Sequence, residues 1–210
     1  MGNTNSNNVL NNTNTNIKNK ILKKINKLSK NESKKEKAYE LLITLFNLQD
    51  ELGHTNINYN NYYYDKSYNY NDFIVSGSLA VIIYAIKEKI PNIIDKILDI
   101  KSDIDIYIYN KNILYKLLEN TNRNIYPLVM NKIVSISTLK YGNIDLKLVN
   151  FNKYSSKICT VKLFDRKINV LKPSELCKLY KGHHSNLYNK NKIYKSKHKI
   201  DTVCILNNCK

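Results

Sequence analysis

The chain has no tryptophan and only 3 prolines, 5 glycines and 4 cysteines in 210 residues. Collagen-like and mucin-like chains need far more glycine or proline, and a disulfide scaffold far more cysteine, so those classes are excluded. Arginine is almost missing: of 34 basic residues only Arg123 and Arg166 are arginines. Acids are scarce too, 17 of them, and the formal charge is +17. No apolar run approaches the ~18–20 residues that cross a bilayer. The longest is Leu79 to Ile86, closed off by Gly77-Ser78 and Lys87-Glu88. The first ten residues, MGNTNSNNVL, hold no apolar stretch of the kind a secretory signal needs, so an intracellular protein is expected. In that compartment Cys159, Cys177, Cys204 and Cys209 should stay reduced, and they show no framework spacing. Cys177, His183, His184 and Cys204 are the nearest thing to a zinc set, and their irregular spacing argues against it.

What is abundant is Asn, Lys, Ile and Tyr, the residues of A/T-rich codons, as in the genomes of many large DNA viruses and some parasites. Part of the charge is then codon drift. The remainder points to a polyanion: nucleic acid, nucleotide phosphate or an anionic membrane. The length suits one domain with a tail.

Residues 1–16 are polar and of low complexity, and are expected to be disordered. Gly2 with Ser6 fits a myristoylation pattern. Downstream, Ile17, Ile21, Ile25 and Leu28 share one helical face among lysines. A basic amphipathic helix is the second signal that one acyl chain needs for peripheral membrane association. The plainer alternative is that an Asn/Thr/Ser-rich tail meets a loose pattern by chance. Ser33 to Leu52 reads as a helix stopped by Gly53, and 54–71 as an exposed Asn/Tyr-rich loop.

From Asp72 onward the pattern is α/β. Phe73-Ile74-Val75 is a short strand, Leu79 to Ile90 an apolar helix ended by Pro91, and Ile93 to Leu98 a second helix. Asp103 to Tyr109 alternates as a half-buried strand, and Lys111 to Glu119 is helical. Ile133–Leu139 and Ile144–Val149 form a hairpin around Lys140–Asn143, and Ile158–Leu163 and Ile168–Leu171 form another around Asp165-Arg166. Pro173-Ser174-Glu175 opens a helix that Gly182 should close, and a last helix spans Ile193 to Leu206.

Three features carry chemistry. Gly77-Ser78 joins a strand to a helix, where unpaired N–H groups and the positive end of the helix dipole attract phosphate. Asp103 and Asp105 stand two apart on one strand face, where like charges repel and a divalent cation relieves them. Asp145 has the same parity on its own strand, since Ile144, Leu146 and Leu148 go to the core. If the two strands are neighbours, the three carboxylates meet, as a two-metal phosphoryl-transfer site requires.

The order Gly-Ser, helix, Asp-x-Asp, later lone Asp resembles the nucleotidyltransferase fold of the DNA polymerase β superfamily over about Phe73 to Asn150. It looks most like the minimal viral, phage and bacterial members. Val170 to Leu176 is similar to their hydrophobic-x-Pro-Ser/Glu-Glu-Leu helix entry, and Lys197 to Asp201 to their Lys-His/Asp-x-x-Asp helix. The resemblance implies a mixed sheet flanked by helices, with a helical C-terminal extension. It implies that Gly77 and Ser78 hold the triphosphate of an NTP, and that Asp103, Asp105 and Asp145 bind two Mg²⁺ (or Mn²⁺) ions. Asp145 would also help deprotonate the acceptor hydroxyl, and Lys178, Lys181, Lys197 or Lys199 would neutralise phosphate. The gap from Ser78 to Asp103 is longer than in the smallest members, and the loop 54–71 has no counterpart among them.

The expected organisation is a tail over 1–32, a catalytic core over 33–150 and a basic C-terminal segment over 151–210. The expected reaction is NMP transfer to a hydroxyl of RNA or tRNA, a protein or a small molecule. The rival readings are a non-catalytic basic nucleic-acid-binding protein or a degenerate nucleotidyltransferase, with or without a membrane-bound tail.

Overall fold

The computed structural model describes residues 17–53, 73–99, 102–109, 133–138, 142–185 and 190–206. The Gly2 pattern, the polar stretch 1–16, the loop 54–71, the helix expected over Lys111–Glu119 and Cys209 lie outside the described residues.

Helix α1 covers 17–26 and α2 covers Glu32–Gly53. The isoleucines of α1 do not face outward. Ile21 and Ile25 are fully buried and Leu28 nearly so, packed into the same core as Leu42 and Leu45 of α2. The face that the sequence offers to a membrane is therefore turned into the protein. The core also reaches back past the expected boundary at residue 32.

The fold is α/β, with a mixed six-stranded sheet flanked by helices. Its strands are β1 (Phe73–Val75), β2 (Ile104–Ile108), β3 (Ile133–Thr138), β4 (Gly142–Leu148), β5 (Ile158–Leu163) and β6 (Arg166–Leu171), in the spatial order β3-β4-β2-β1-β6-β5. β1 is short and all three of its residues are buried, as a central strand requires. It runs antiparallel to β2 and parallel to β6, while β2 and β4 are parallel. Helix α3 (Gly77–Glu88) leaves β1 after one residue, and its apolar body from Leu79 to Ile86 is buried. It ends at Lys89, which takes a left-handed conformation (φ 56°) ahead of Pro91, where a helix cannot continue. The short α4 (Ile93–Ile97) follows.

The hairpin β5–β6 turns through Phe164-Asp165, one residue earlier than the sequence suggests, with Phe164 at φ 55°. A phenylalanine holds that conformation because its ring is gripped: edge-on to Phe46 of α2 at 6.2 Å, with the Lys24 ammonium 5.0 Å from its centroid. Beside it the Arg166 guanidinium donates to both Asp50 oxygens (2.6 and 2.8 Å) and to the Phe46 carbonyl (3.1 Å). This planar fork ties the C-terminal half of α2 to the hairpin.

The chain then forms a short helix α5 (Phe151–Tyr154), and after the hairpin α6 (Pro173–Ser185) and α7 (Lys190–Ile205). Gly182 does not stop α6. It is not among the left-handed residues, and the helix runs on through His183 and His184.

Candidate active site

β2 and β4 are neighbours, the relation that parity alone does not supply. In their parallel register Asp105 pairs with Asp145, flanked by Ile104↔Ile144 and Ile106↔Leu146. Those four aliphatic side chains are at most 1% exposed, so both carboxylates point to the opposite face, about one strand spacing (~4.8 Å) apart at the backbone. Asp103 precedes β2 on that face. Ser135 of β3, opposite Asp145, donates its hydroxyl proton to the Asp145 Oδ1 at 2.5 Å.

The electrostatics of the three are unfavourable. Burial, then the charges of Asp145 and Asp103, push the Asp105 carboxyl up to about 7. Asp103 is also raised, by burial and by Asp145. The Lys37 ammonium and a hydrogen bond with Asn143 pull the other way. Among the described residues no three His, Cys, Asp or Glu side chains are drawn tightly enough together to grip a metal ion. The carboxylates are thus near enough to repel; Ser135 serves Asp145 and Asn143 serves Asp103, while among the described residues no donor reaches the Asp105 carboxylate.

Gly77 is required for a reason that the sequence does not announce. It sits at φ +58°, and a Cβ there would lie 1.8 Å from Asp105 Oδ2. The absent side chain makes room for the carboxylate itself, before any phosphate is considered. The Ser76 N–H donates to the Asp105 carbonyl at 2.9 Å, which extends the β1–β2 ladder to the turn. So the first turn of α3 and the acid pair are fixed to one another.

Two further groups reach this turn that sequence reasoning misses. The Tyr180 hydroxyl of α6 lies 3.4 Å from Ser78 Oγ. Burial pushes its pKa up to about 12, against the hydrogen bond with Ser78, and the Asp105 and Asp99 charges add to the rise. Lys37 of α2 supplies the positive charge felt by Asp103, yet it comes from a helix whose lysines look like an ordinary solvated face. At the other end of the acid face, Tyr107 is covered edge-on by Tyr154 of α5 at 5.5 Å and by the Lys147 ammonium at 5.3 Å.

The four lysines expected at phosphate are not equivalent. Lys178 is spent on Glu175 (2.6 Å) and Lys199 on Asp99 (2.5 Å). Lys181 and Lys197 are exposed. The Lys199–Asp99 pair still borders the site, since the Asp99 charge is felt by Tyr180.

The cysteines correct the expectation of free thiols. Cys177 of α6 and Cys204 of α7 form a disulfide, with Cα atoms 5.1 Å apart. The pairing unites two members of the weak zinc set with each other, and fixes α6, the helix of Tyr180, to α7. Sequence spacing of 27 gave no hint of it, because the two positions meet only through the antiparallel packing of the helices. Cys159 is a free thiol beside the Tyr84 hydroxyl at 2.6 Å.

Among the described residues no helix is long and apolar enough to cross a membrane. No family model matches the chain, and no curated protein matches it. Among solved structures it is similar to the crystal structure of an antigenic nucleotidyltransferase-like protein from Paracoccidioides brasiliensis, with 12% identity, 84% of this chain and 77% of that one covered, and a TM-score of 0.41.

Proposed function

We propose that this chain is a metal-dependent nucleotidyltransferase that moves an NMP from an NTP to a hydroxyl group. The observation that carries the reading is the Asp105–Asp145 pair in register, with Asp105 against the Cα of Gly77 at the start of α3. A helix start that attracts phosphate and a face of carboxylates that wants a cation are then parts of one rigid turn.

The donor set suits Mg²⁺ or Mn²⁺. These are hard carboxylate oxygens, and the Asp103 and Asp105 carboxyls are raised by burial first and by mutual repulsion second, both of which a divalent cation would offset. Asp103, Asp105 and Asp145 would have to draw closer together to hold it, and when bound it would supply positive charge to the triphosphate and acidify the acceptor hydroxyl. The remaining work falls to the chain. Gly77 and Ser78 present backbone N–H groups and a hydroxyl to the phosphates, and Asp145 accepts the acceptor's proton. The acceptor oxygen forms its bond to the α-phosphorus, and the bond from that phosphorus to the bridging oxygen breaks, so pyrophosphate leaves.

The test is incubation with each labelled NTP, Mg²⁺ or Mn²⁺, and total RNA, total protein or small metabolites. Label should enter one acceptor fraction as pyrophosphate appears, and Asp105→Asn should abolish both. No label in any fraction and no pyrophosphate with any nucleotide would reject the reading.

A further inference from the structure

Helix α1 carries a second charged feature, opposite in sign to the acid face. Six lysines and no acid occur between Ile17 and Lys30, and no Asp or Glu occurs anywhere before Glu32. Codon drift alone does not account for the missing acids, because α2 begins at once with Glu32, Glu36 and Glu40 in a stretch equally rich in lysine. In α2 the lysines are paired, Lys35 with Glu32 at 2.5 Å and Lys37 with Glu40 at 3.2 Å. In α1 they are exposed and have no acid within their own helix.

The position of this row is informative. Its middle approaches the β5–β6 hairpin tip through Lys24 over Phe164, where Lys162 and Lys167 are also exposed. At its C-terminal end Ser29 and the Lys30 N–H bind Asp95, as Lys34 binds the Asp95 carbonyl. Lys34 is one helical turn from Lys37, whose charge acts on Asp103. The row therefore leads from the hairpin tip toward the acid site.

We propose that the exposed face of α1 and the turn that follows it is a docking track for a nucleic-acid strand, its phosphates lying along Lys20, Lys23 and Lys27 and its end directed toward Asp103 and Asp105. That the strand is the acceptor rests on the function proposed above. That it binds here does not. A single-sign row without apolar anchors suits repeating phosphates better than a protein, whose binding hot spots are buried aromatics. It suits them better than a membrane, because the apolar face of α1 that would insert is buried and, among the described residues of this helix, Leu22 at 38% is the one exposed large hydrophobic.

The experiment is fluorescence anisotropy of the full chain with labelled oligouridine and its deoxy counterpart across a salt series, repeated with Lys20→Glu/Lys23→Glu/Lys27→Glu. Binding of either strand should weaken at least tenfold in the variant, and the slope of log K against log salt should fall by about 2, since each phosphate contact contributes about 0.7 for single strands. A matching triple Gln variant, with unfolding followed by circular dichroism, covers the case in which the Glu variant does not fold, and the same loss of slope is expected of it. Unchanged affinity and slope would overturn the proposal. So would vesicles of phosphatidylserine binding in a manner that these lysines control while neither strand binds. Binding and transfer are read separately, so a chain that binds the strand through these lysines but never transfers would sink the enzyme reading and leave the track standing.

Discussion

Asp95 and Asp105 are the same residue type, partly covered, ten positions apart, and their carboxyls move in opposite directions. Burial alone would raise both. At Asp95 the Lys30 N–H, the Ser29 hydroxyl and the Lys34 charge outweigh burial and hold the group below its usual range. At Asp105 no donor among the described residues reaches the carboxylate, two more carboxylates stand near, and burial with their charges raises the group to about 7. The first acid is a fastener: it joins the turn between α1 and α2 to α4. The second is left wanting a proton or a cation, and none of the described residues supplies either. Perturbation without local compensation is what marks a candidate functional group.

The sharpest way to break the comparison is to neutralise each acid. Asp105→Asn should lower transfer by at least about 10³-fold, since the interaction lost is several kcal/mol of charge stabilisation. In metal-free buffer at pH 8 the same variant should unfold at a higher temperature than wild type, by a stabilisation on the order of 1–4 kcal/mol. The sign follows from linkage. A carboxyl raised in the fold binds more protons folded than unfolded, so wild-type stability should fall as pH rises from about 4 through about 7. The variant should lack that part of the slope. Unchanged turnover, or a metal-free variant less stable than wild type at pH 8, would remove the distinction from Asp95.

Gly77→Ala comes next. The new methyl would occupy the space of the Asp105 carboxylate and sit in left-handed backbone. We expect a loss of at least about 2 kcal/mol in stability, together with weakened nucleotide binding. Combining it with Asp105→Gly should recover much of the stability and none of the activity. If Gly77→Ala alone behaves like wild type, the contact that ties the glycine to the acid does not exist.

Asp95→Asn should do less, and in the opposite sense to Asp105→Asn. It should destabilise at neutral pH by about 1 kcal/mol through weakened charge-assisted hydrogen bonds, with transfer per folded molecule unchanged. Because its pKa is depressed, the contribution should be present above the ordinary carboxylate range and lost as pH falls through the lowered value. Thermal unfolding from pH 3 to pH 7 would show the variant converging on wild type at the acid end. A constant difference across that range would contradict the fastener role.

How legible these features are in the sequence differs by kind. Alternation in Ile104–Ile108 and Ile144–Leu148 exposes the face of each acid, because one-residue slips would bury charge and expose aliphatics. That the strands are neighbours is a tertiary fact, with 35 residues of chain between Ile108 and Ile144. The Gly77 clash with Asp105 is equally invisible, since it depends on which atom of a distant strand lies over the turn. The amphipathic pattern of α1 is plain, but a helix with one apolar face fits a membrane or a core equally well, and only the packing of Ile21 and Ile25 decides. The Cys177–Cys204 bond follows from two helices meeting, and the expectation of reduced thiols rested on compartment rather than on geometry.

The smallest expected effect belongs to Tyr180. Its pKa, pushed to about 12, keeps it neutral at any working pH, so it has a proton to give. Given to Ser78 Oγ, that proton leaves the serine hydroxyl free to donate its own toward a bound phosphate. At 3.4 Å the contact is long, so it is worth the lower end of the range for a hydrogen bond, about 0.5–1 kcal/mol. Tyr180→Phe keeps the ring and should raise the nucleotide KM by roughly two- to fivefold, with kcat unchanged. Ser78→Ala should have a similar or larger effect, and the double variant should be no worse than Ser78→Ala alone. Both substitutions act through one hydroxyl, and shared partners are where additivity fails. Fully additive losses would mean that Tyr180 serves the site by packing rather than by orienting Ser78. A change in kcat without a change in KM would place Tyr180 at the reacting atoms instead.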